Sequence, residues 1–157
     1  MNVHTDITDE SAIRALVDRC ADGFRDMDID AIMDCHTGDV VCFDCHSQFE
    51  TKGAAAMRAF LEACFPFMQG PVVHENHELS IAASGDVGFA HYHLRSSCRD
   101  REGGEHGGWL RVTAGLRRTE DGWKACHAHI SAPFNPMTER TMFGLPREAN
   151  PFAEGAA

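Results

Sequence analysis

Cys42-Phe43-Asp44-Cys45-His46 gathers two thiols, a carboxylate and an imidazole within five residues. The C-x-x-C-H spacing matches the attachment pattern of a c-type haem, and a C-x-x-C pair by itself also serves redox exchange or zinc. Haem attachment requires export, and Met1 to Thr8 lacks the basic start and apolar stretch of a signal peptide. No second C-x-x-C completes a zinc site. His46 follows Asp44 by two residues, so a bend in the chain there can pair the two, with the imidazole as a base of ordinary pKa about 6.5. A plain loop histidine is the other reading. His91-x-His93 and His127-x-His129 are further pairs, and the two-residue strand period places both imidazoles of each pair on one face. Such faces bind zinc or iron, or more commonly meet a subunit interface or solvent. Tyr92, the one tyrosine, lies between the first pair, and its hydroxyl can donate to a carbonyl or make a structural bond. His74, His77 and His106 have no partner in the sequence and read as solvated.

The rest of the chain limits what these groups can serve. A length of 157 residues supports one domain with its own core, core residues about 8–133 and a tail 134–157. The charge is −10, from 14 basic against 24 acidic residues. That field repels phosphate backbones and anionic headgroups, so neither nucleic acid nor membrane is an expected partner. No run approaches the roughly 20 apolar residues of a membrane span. Seven cysteines, an odd number with no export signal, read as mostly reduced small hydrophobes in a cytoplasmic protein.

Helical spacing of Ile13, Leu16, Val17, Cys20 and Phe24 predicts a helix over Thr8–Asp26, capped by Thr8 or Asp9. Asp28 caps a second, shorter helix ending before Gly38, Val40–Asp44 reads as a strand, and Gln48–Thr51 as a short return strand. Lys52–Phe65 is again helical, ended by Pro66. The period then changes to two, with His77, Leu79, Ile81 and Ala83 alternating. Strands are predicted over Val72–Ala83, Val87–Ser97, Trp109–Thr119 and Trp123–Ala132, joined by a glycine-rich loop (Gly103–Gly108) and a Glu120-Asp121-Gly122 turn. Thr138–Phe143 reads as a turn of helix in a proline-rich tail. Helices followed by strands argue for an α+β domain with helices packed on one sheet face.

This order, with Trp109–Pro133 carrying an arginine-rich strand, an Asp-Gly-Trp turn and His-x-His-x-Ser-x-Pro, resembles the SnoaL-like branch of the nuclear transport factor 2-like superfamily. A similar ending is found in the association domain of calcium/calmodulin-dependent protein kinase II. The resemblance implies a cone: a curved antiparallel sheet whose N-terminal helices close an apolar cavity, often dimerised through the outside of the sheet. It implies fold more than function, because this fold hosts isomerases, cyclases, dehydratases and oligomerisation modules.

By similarity to ketosteroid isomerase, Asp44 matches a carboxylate that projects into the cavity as a proton-shuttling base, a system known for a carboxylate base in an apolar site. The alternative is a strand-end aspartate bonded into a turn. That enzyme's helix tyrosine aligns with Cys20 and its oxyanion-hole aspartic acid near Ala114, and neither replacement supplies a strong donor, which argues against steroid isomerisation by the same route. The alignment turns Cys42, Ala90, Tyr92, Leu94, Val112, Ala114, Cys126 and Ile130 toward the cavity, with Phe24, Phe60 and Cys64 added from the helices. His91, His93, Arg111, His127 and His129 then fall on the convex face; a one-residue error of register would exchange the faces. The expectation is a homodimer, through the convex face, that binds a small apolar molecule. It acts, if it is an enzyme, as a cofactor-independent isomerase, cyclase or lyase with Asp44 as base and Tyr92 or His46 at the developing oxyanion. The alternative is a non-catalytic ligand-binding or oligomerisation module.

Overall fold

The computed structural model describes residues 7–46 and 48–148, so the last part of the proline-rich tail lies outside the described residues. Ile13, Leu16, Val17 and Ala21, at helical spacing, form the buried stripe of helix α1 (Ile7–Asp26). Asp28 caps helix α2 (Ile29–Asp34) by accepting from the backbone N–H of Ala31 at 3.0 Å. The two helices pack closely at Gly23, where a Cβ would stand 2.9 Å from Ile32 Cγ1. Strand β1 (His36–Phe43), the two-residue strand β2 (Thr51–Lys52), helix α3 (Ala54–Cys64) and a 3-10 turn (Phe65–Phe67) follow. Helix α3 starts later than Lys52 because Gly53 adopts a positive φ of 82° between strand and helix.

Four long strands complete the sheet: β3 (Gln69–Ser84), β4 (Val87–Arg99), β5 (Glu105–Thr119) and β6 (Gly122–Ser131). The order is β2-β1-β6-β5-β4-β3, antiparallel throughout except for β1 and β6, which run parallel. The fold is α+β, an open curved sheet with the N-terminal helices against it. Extra residues bend the strands. On β3, His77 pairs with His93 but Ser80 already pairs with His91, so the segment around Glu78, at φ 55°, bulges. On β6, Cys126 is the extra residue between Ala125, opposite Leu116, and His127, opposite Gly115.

The bulge on β3 reverses the parity of that strand. Leu79, Ile81 and Ala83 pack on the core with Ile13, Leu16, Ala90, Ala114, Leu116 and Trp123. His77, expected on the same face as these three, lies instead edge-on to Trp109, while His74 and Asn76 turn inward. A second core group, Ile32, Val40, Cys42, Met57 and Leu61, joins α2 and α3 to β1. Asp9 does more than begin α1. Its carboxylate accepts from Arg118 Nη2 at 2.7 Å and from Trp123 Nε1 at 3.2 Å, tying the helix to the β5–β6 hairpin.

The tail departs from expectation. Residues 138–143 form no helical turn; Phe134–Asn135 (β7) and Arg140–Thr141 (β8) pair as a small hairpin, with Asn135 Oδ1 accepting from Met137 N–H at 2.9 Å. The chain then runs beside β5, where the Trp109 N–H donates to Phe143 O at 3.4 Å and the backbone of Phe143 fills the space that a Cβ on Gly108 would take. Arg147 stacks over Trp109 at 5.2 Å and pairs with Glu78 at 3.3 Å. The expected glycine loop is shorter than 103–108, because Gly107 and Gly108 belong to β5.

Candidate functional site

Between α1, α3, the 3-10 turn and the concave face of the sheet lies a cavity of about 180 Å³. Its wall is mostly apolar. Cys20, Phe24, Cys42, Phe60, Cys64, Leu94, Val112 and Ile130 all border it, joined by Leu110 and Ala128. Three residues expected there do not. Ala90 and Ala114 are buried in the core among Ile13, Leu16 and Trp123, below the cavity floor. Cys126 is displaced by its bulge, and its thiol donates to Gly115 O at 3.4 Å.

Asp44 follows β1 directly and is the one carboxylate bordering the cavity among the described residues. Its side chain is 16% exposed. Its Oδ1 accepts from the backbone N–H of His46 at 3.2 Å, an Asx turn that fixes the carboxylate, and the His46 ring stands 3.7 Å away. Burial, with Asp44 adding its charge and a hydrogen bond, pushes the Cys45 thiol up to about 12, and burial with the same charge puts Cys42 at about 11. Neither thiol is a nucleophile at neutral pH. Asp44, Cys45 and His46 each offer one ligand atom, all within 4.8 Å of one another, and among the described residues they form the one such group able to hold a metal. The thiol would have to lose its proton to join them.

Tyr92 enters from β4. Burial, and to a lesser degree Cys20, holds its phenol well above the ordinary value, so it remains a protonated donor. Cys20 in turn hydrogen-bonds Cys35, which brings the Cys35 thiol down to about 7 and raises Cys20.

Five polar residues on the wall, His36, Thr51, His74, Asn76 and Ser96, were not among the sequence candidates. His74, expected in solvent, stacks on Phe24 with centroids 4.6 Å apart and planes 4° from parallel. Burial, helped by Arg25, lowers its pKa to about 4, so the ring is neutral. His36 donates from Nδ1 to Ile32 O at 2.7 Å, and burial lowers its pKa as well. Ser96 is the cross-strand neighbour of His74, and Leu94 of Asn76. The inward parity of His74 and Asn76 follows from the β3 bulge, which no glycine or proline marks.

The remaining histidines among the described residues lie elsewhere. His91 and His93 alternate with inward-facing Ala90, Tyr92 and Leu94, and His91 and Arg111 are solvent-exposed. His127 bonds Val41 O through Nδ1 at 2.8 Å, and both His127 and His129 meet the edge of Phe43. His93 pairs with Glu78 at 3.1 Å. His77 pairs with Glu75 at 3.3 Å, and His106 with Asp100 at 2.6 Å.

The SnoaL-like domain family matches residues 13–135. A nuclear transport factor 2-like protein of unknown function from Pseudomonas putida KT2440 is 35% identical, with 90% of this chain and 98% of that chain covered and a TM-score of 0.82. A putative aromatic ring hydroxylase from Novosphingobium aromaticivorans is 25% identical over 82% of this chain and 91% of that one, at a TM-score of 0.76. A putative dehydratase of the same superfamily from Streptomyces avermitilis shares the fold at 15% identity, covering 83% and 100% of the two chains with a TM-score of 0.73. Comparison with curated proteins gives no match. With the family matching more than half its length over a curved sheet and helix-closed cavity, the chain belongs to the SnoaL-like family, within the nuclear transport factor 2-like superfamily.

Proposed function

We propose that the protein is a cofactor-independent isomerase, cyclase or lyase acting on a small, largely apolar carbonyl compound, with Asp44 as the proton-shuttling base. The observation that carries this reading is a single fixed carboxylate on a mostly apolar cavity wall. Such a carboxylate, facing a carbonyl compound, removes a proton from the carbon next to the carbonyl. The electron pair of the broken C–H bond moves into the carbonyl, and the charge that gathers on oxygen needs a donor. Tyr92 is that donor in this reading, since its phenol is protonated and borders the same cavity. Returning the proton from Asp44 to another carbon isomerises the compound; giving it to a departing group eliminates that group. His46, with 61% of its side chain exposed, serves as the group that exchanges the proton with solvent.

The reading has a direct test. Solvent deuterium entering the methyl group of 4-hydroxyacetophenone reports proton removal without commitment to a natural substrate. The native protein should accelerate this exchange, and Asp44→Asn should lower it by about a thousandfold with fold and ligand affinity kept. Equal exchange in both proteins removes Asp44 from the mechanism.

The convex face supports a further part of the reading, a homodimer. Phe43 and Phe89 are 40% and 48% exposed there, each beside histidines, which is the aromatic composition of a subunit contact. An oligomerisation module that has no chemistry would use the same face, and would show no dependence on Asp44. We place the protein in the cytoplasm on its seven free thiols and acidic charge; no helix of the described residues is long and apolar enough to cross a membrane.

A further inference from the structure

Asn76 borders the cavity from β3, and its Oδ1 is buried without a hydrogen-bond partner. Buried amides are nearly always paired, because an unpaired one forfeits its hydration and receives nothing in return. The surroundings supply little. Leu94 stands directly across the ladder, His74, two residues away on the same strand, is stacked on Phe24, and the next inward residue on β4 beyond Leu94 is the Tyr92 phenol. The amide thus borders the cavity with its oxygen unpaired and tucked away from the open space, and a turn about χ2 brings that oxygen to a ligand.

Sheet order sets what can meet it. Asp44 follows β1 and Asn76 is on β3, and β6, β5 and β4 run between those two strands. The cavity residues of the intervening strands include Ala128, Ile130, Val112 and Leu94. The site thus has a carboxylate at one side of the sheet and an amide at the other, with a mostly apolar wall between them that also carries the Tyr92 phenol. The unpaired atom is an acceptor, so the ligand group that meets it is a donor, and a hydroxyl supplies one without bringing a charge to a mostly apolar wall. The space of about 180 Å³ is that of a single ring, since a cavity of about 150 Å³ already admits benzene.

We propose that Asn76 is a hydroxyl-binding residue and that the substrate class is a one-ring compound bearing a hydroxyl at one end and an enolisable carbonyl at the other. This rests on the reading of Asp44 as base, which fixes where the carbonyl end lies. Asn76 would hold the ring so that the carbon next to the carbonyl meets Asp44, with no proton transfer of its own.

The test compares 4-hydroxyacetophenone with acetophenone, which differ only in the hydroxyl, by calorimetric titration of the full chain. The native protein should bind the hydroxylated ketone at least about tenfold more tightly. In Asn76→Leu that preference should vanish, through weaker binding of the hydroxylated ketone, with acetophenone bound as well as before. Melting temperature should not fall, since the change removes an unpaired buried amide. Equal binding of the two ketones by the native protein, binding of neither, or a preference that survives Asn76→Leu overturns the proposal; the first two outcomes need no variant. Asp44→Asn separates this proposal from the one it rests on. It should keep the hydroxyl preference while losing deuterium exchange. A preference without exchange defeats the reading of Asp44 and leaves Asn76 as a ligand contact, and exchange without a preference does the reverse.

Discussion

The imidazole Nε2 of His46 stands 3.7 Å from Oδ1 of Asp44, and the backbone N–H of the same histidine donates to that oxygen at 3.2 Å. The carboxylate is thus positioned by main chain, and the ring is an accessory to it. His46→Ala should therefore keep Asp44 in place and lower deuterium exchange by less than about tenfold, against about a thousandfold for Asp44→Asn. Tyr92→Phe, which removes only the oxyanion donor, should fall between them, at about a hundredfold. A loss in His46→Ala as large as in Asp44→Asn would make the ring part of the base itself.

Stability should depend on pH through His74. Its imidazole protonates at about 4 in the folded protein, against about 6.5 when unfolded. Between those values the unfolded chain binds more protons, so stability falls as the pH drops from about 6.5 toward 4 and is unaffected by this group at higher pH. The full effect is roughly 3 kcal/mol. His74→Phe keeps a ring against Phe24 and removes the titration. Urea midpoints at pH 7 and pH 4.5 should differ less in the variant than in the native protein. Some slope should remain, because His36 is shifted in the same direction.

Asp9 joins two partners, Arg118 and Trp123, that are more than a hundred residues away from it in sequence. Asp9→Ala leaves Trp123 Nε1 without its acceptor and takes from Arg118 its shortest ion pair, although Arg118 keeps Asp86 at 3.4 Å. With Arg118 still partly hydrated, a loss of about 1 to 2 kcal/mol is expected by chemical denaturation. Asp9→Asn should recover part of it, since an amide oxygen still accepts from the indole.

Self-association should be severed without touching the cavity. Phe89→Glu puts a charge on the exposed convex face beside His91, and sedimentation should then show a monomer with unchanged binding of 4-hydroxyacetophenone. If the native protein already sediments as a monomer, the convex face is not a subunit contact.

Much of the architecture was legible in order and period. The spacing of Ile13, Leu16 and Val17 and the alternation along Val87–Ser97 identify α1 and β4, because long amphipathic segments have few ways to bury one face. The strand-end position of Asp44 was also open to view, together with its close relation to His46. What escaped was parity. The bulges at Glu78 and Cys126 are set by how strands of different curvature fit together, and neither residue is a glycine that would have flagged the irregularity. Hence period-two alternation alone leaves His74 and Asn76 off the cavity face and sets Cys126 on it. The tail failed for a related reason. The pairing of β7 with β8 depends on Asn135 turning the chain at Met137, a local bond that helical spacing does not reveal.

The bulge on β3 also bears on how such a pocket changes through descent. Substitution alters one wall position at a time, whereas ironing out the bulge near Glu78 with every residue kept would slip the segment before it by one residue and turn it over as a unit. Glu75 and His77 would then replace His74 and Asn76 against the ligand, and a neutral lining would become an ionisable one. A one-residue slip of register is thus a longer step in ligand chemistry than any exchange of side chain on that strand, taken without disturbing the core that Leu79, Ile81 and Ala83 hold on the other side of the bulge.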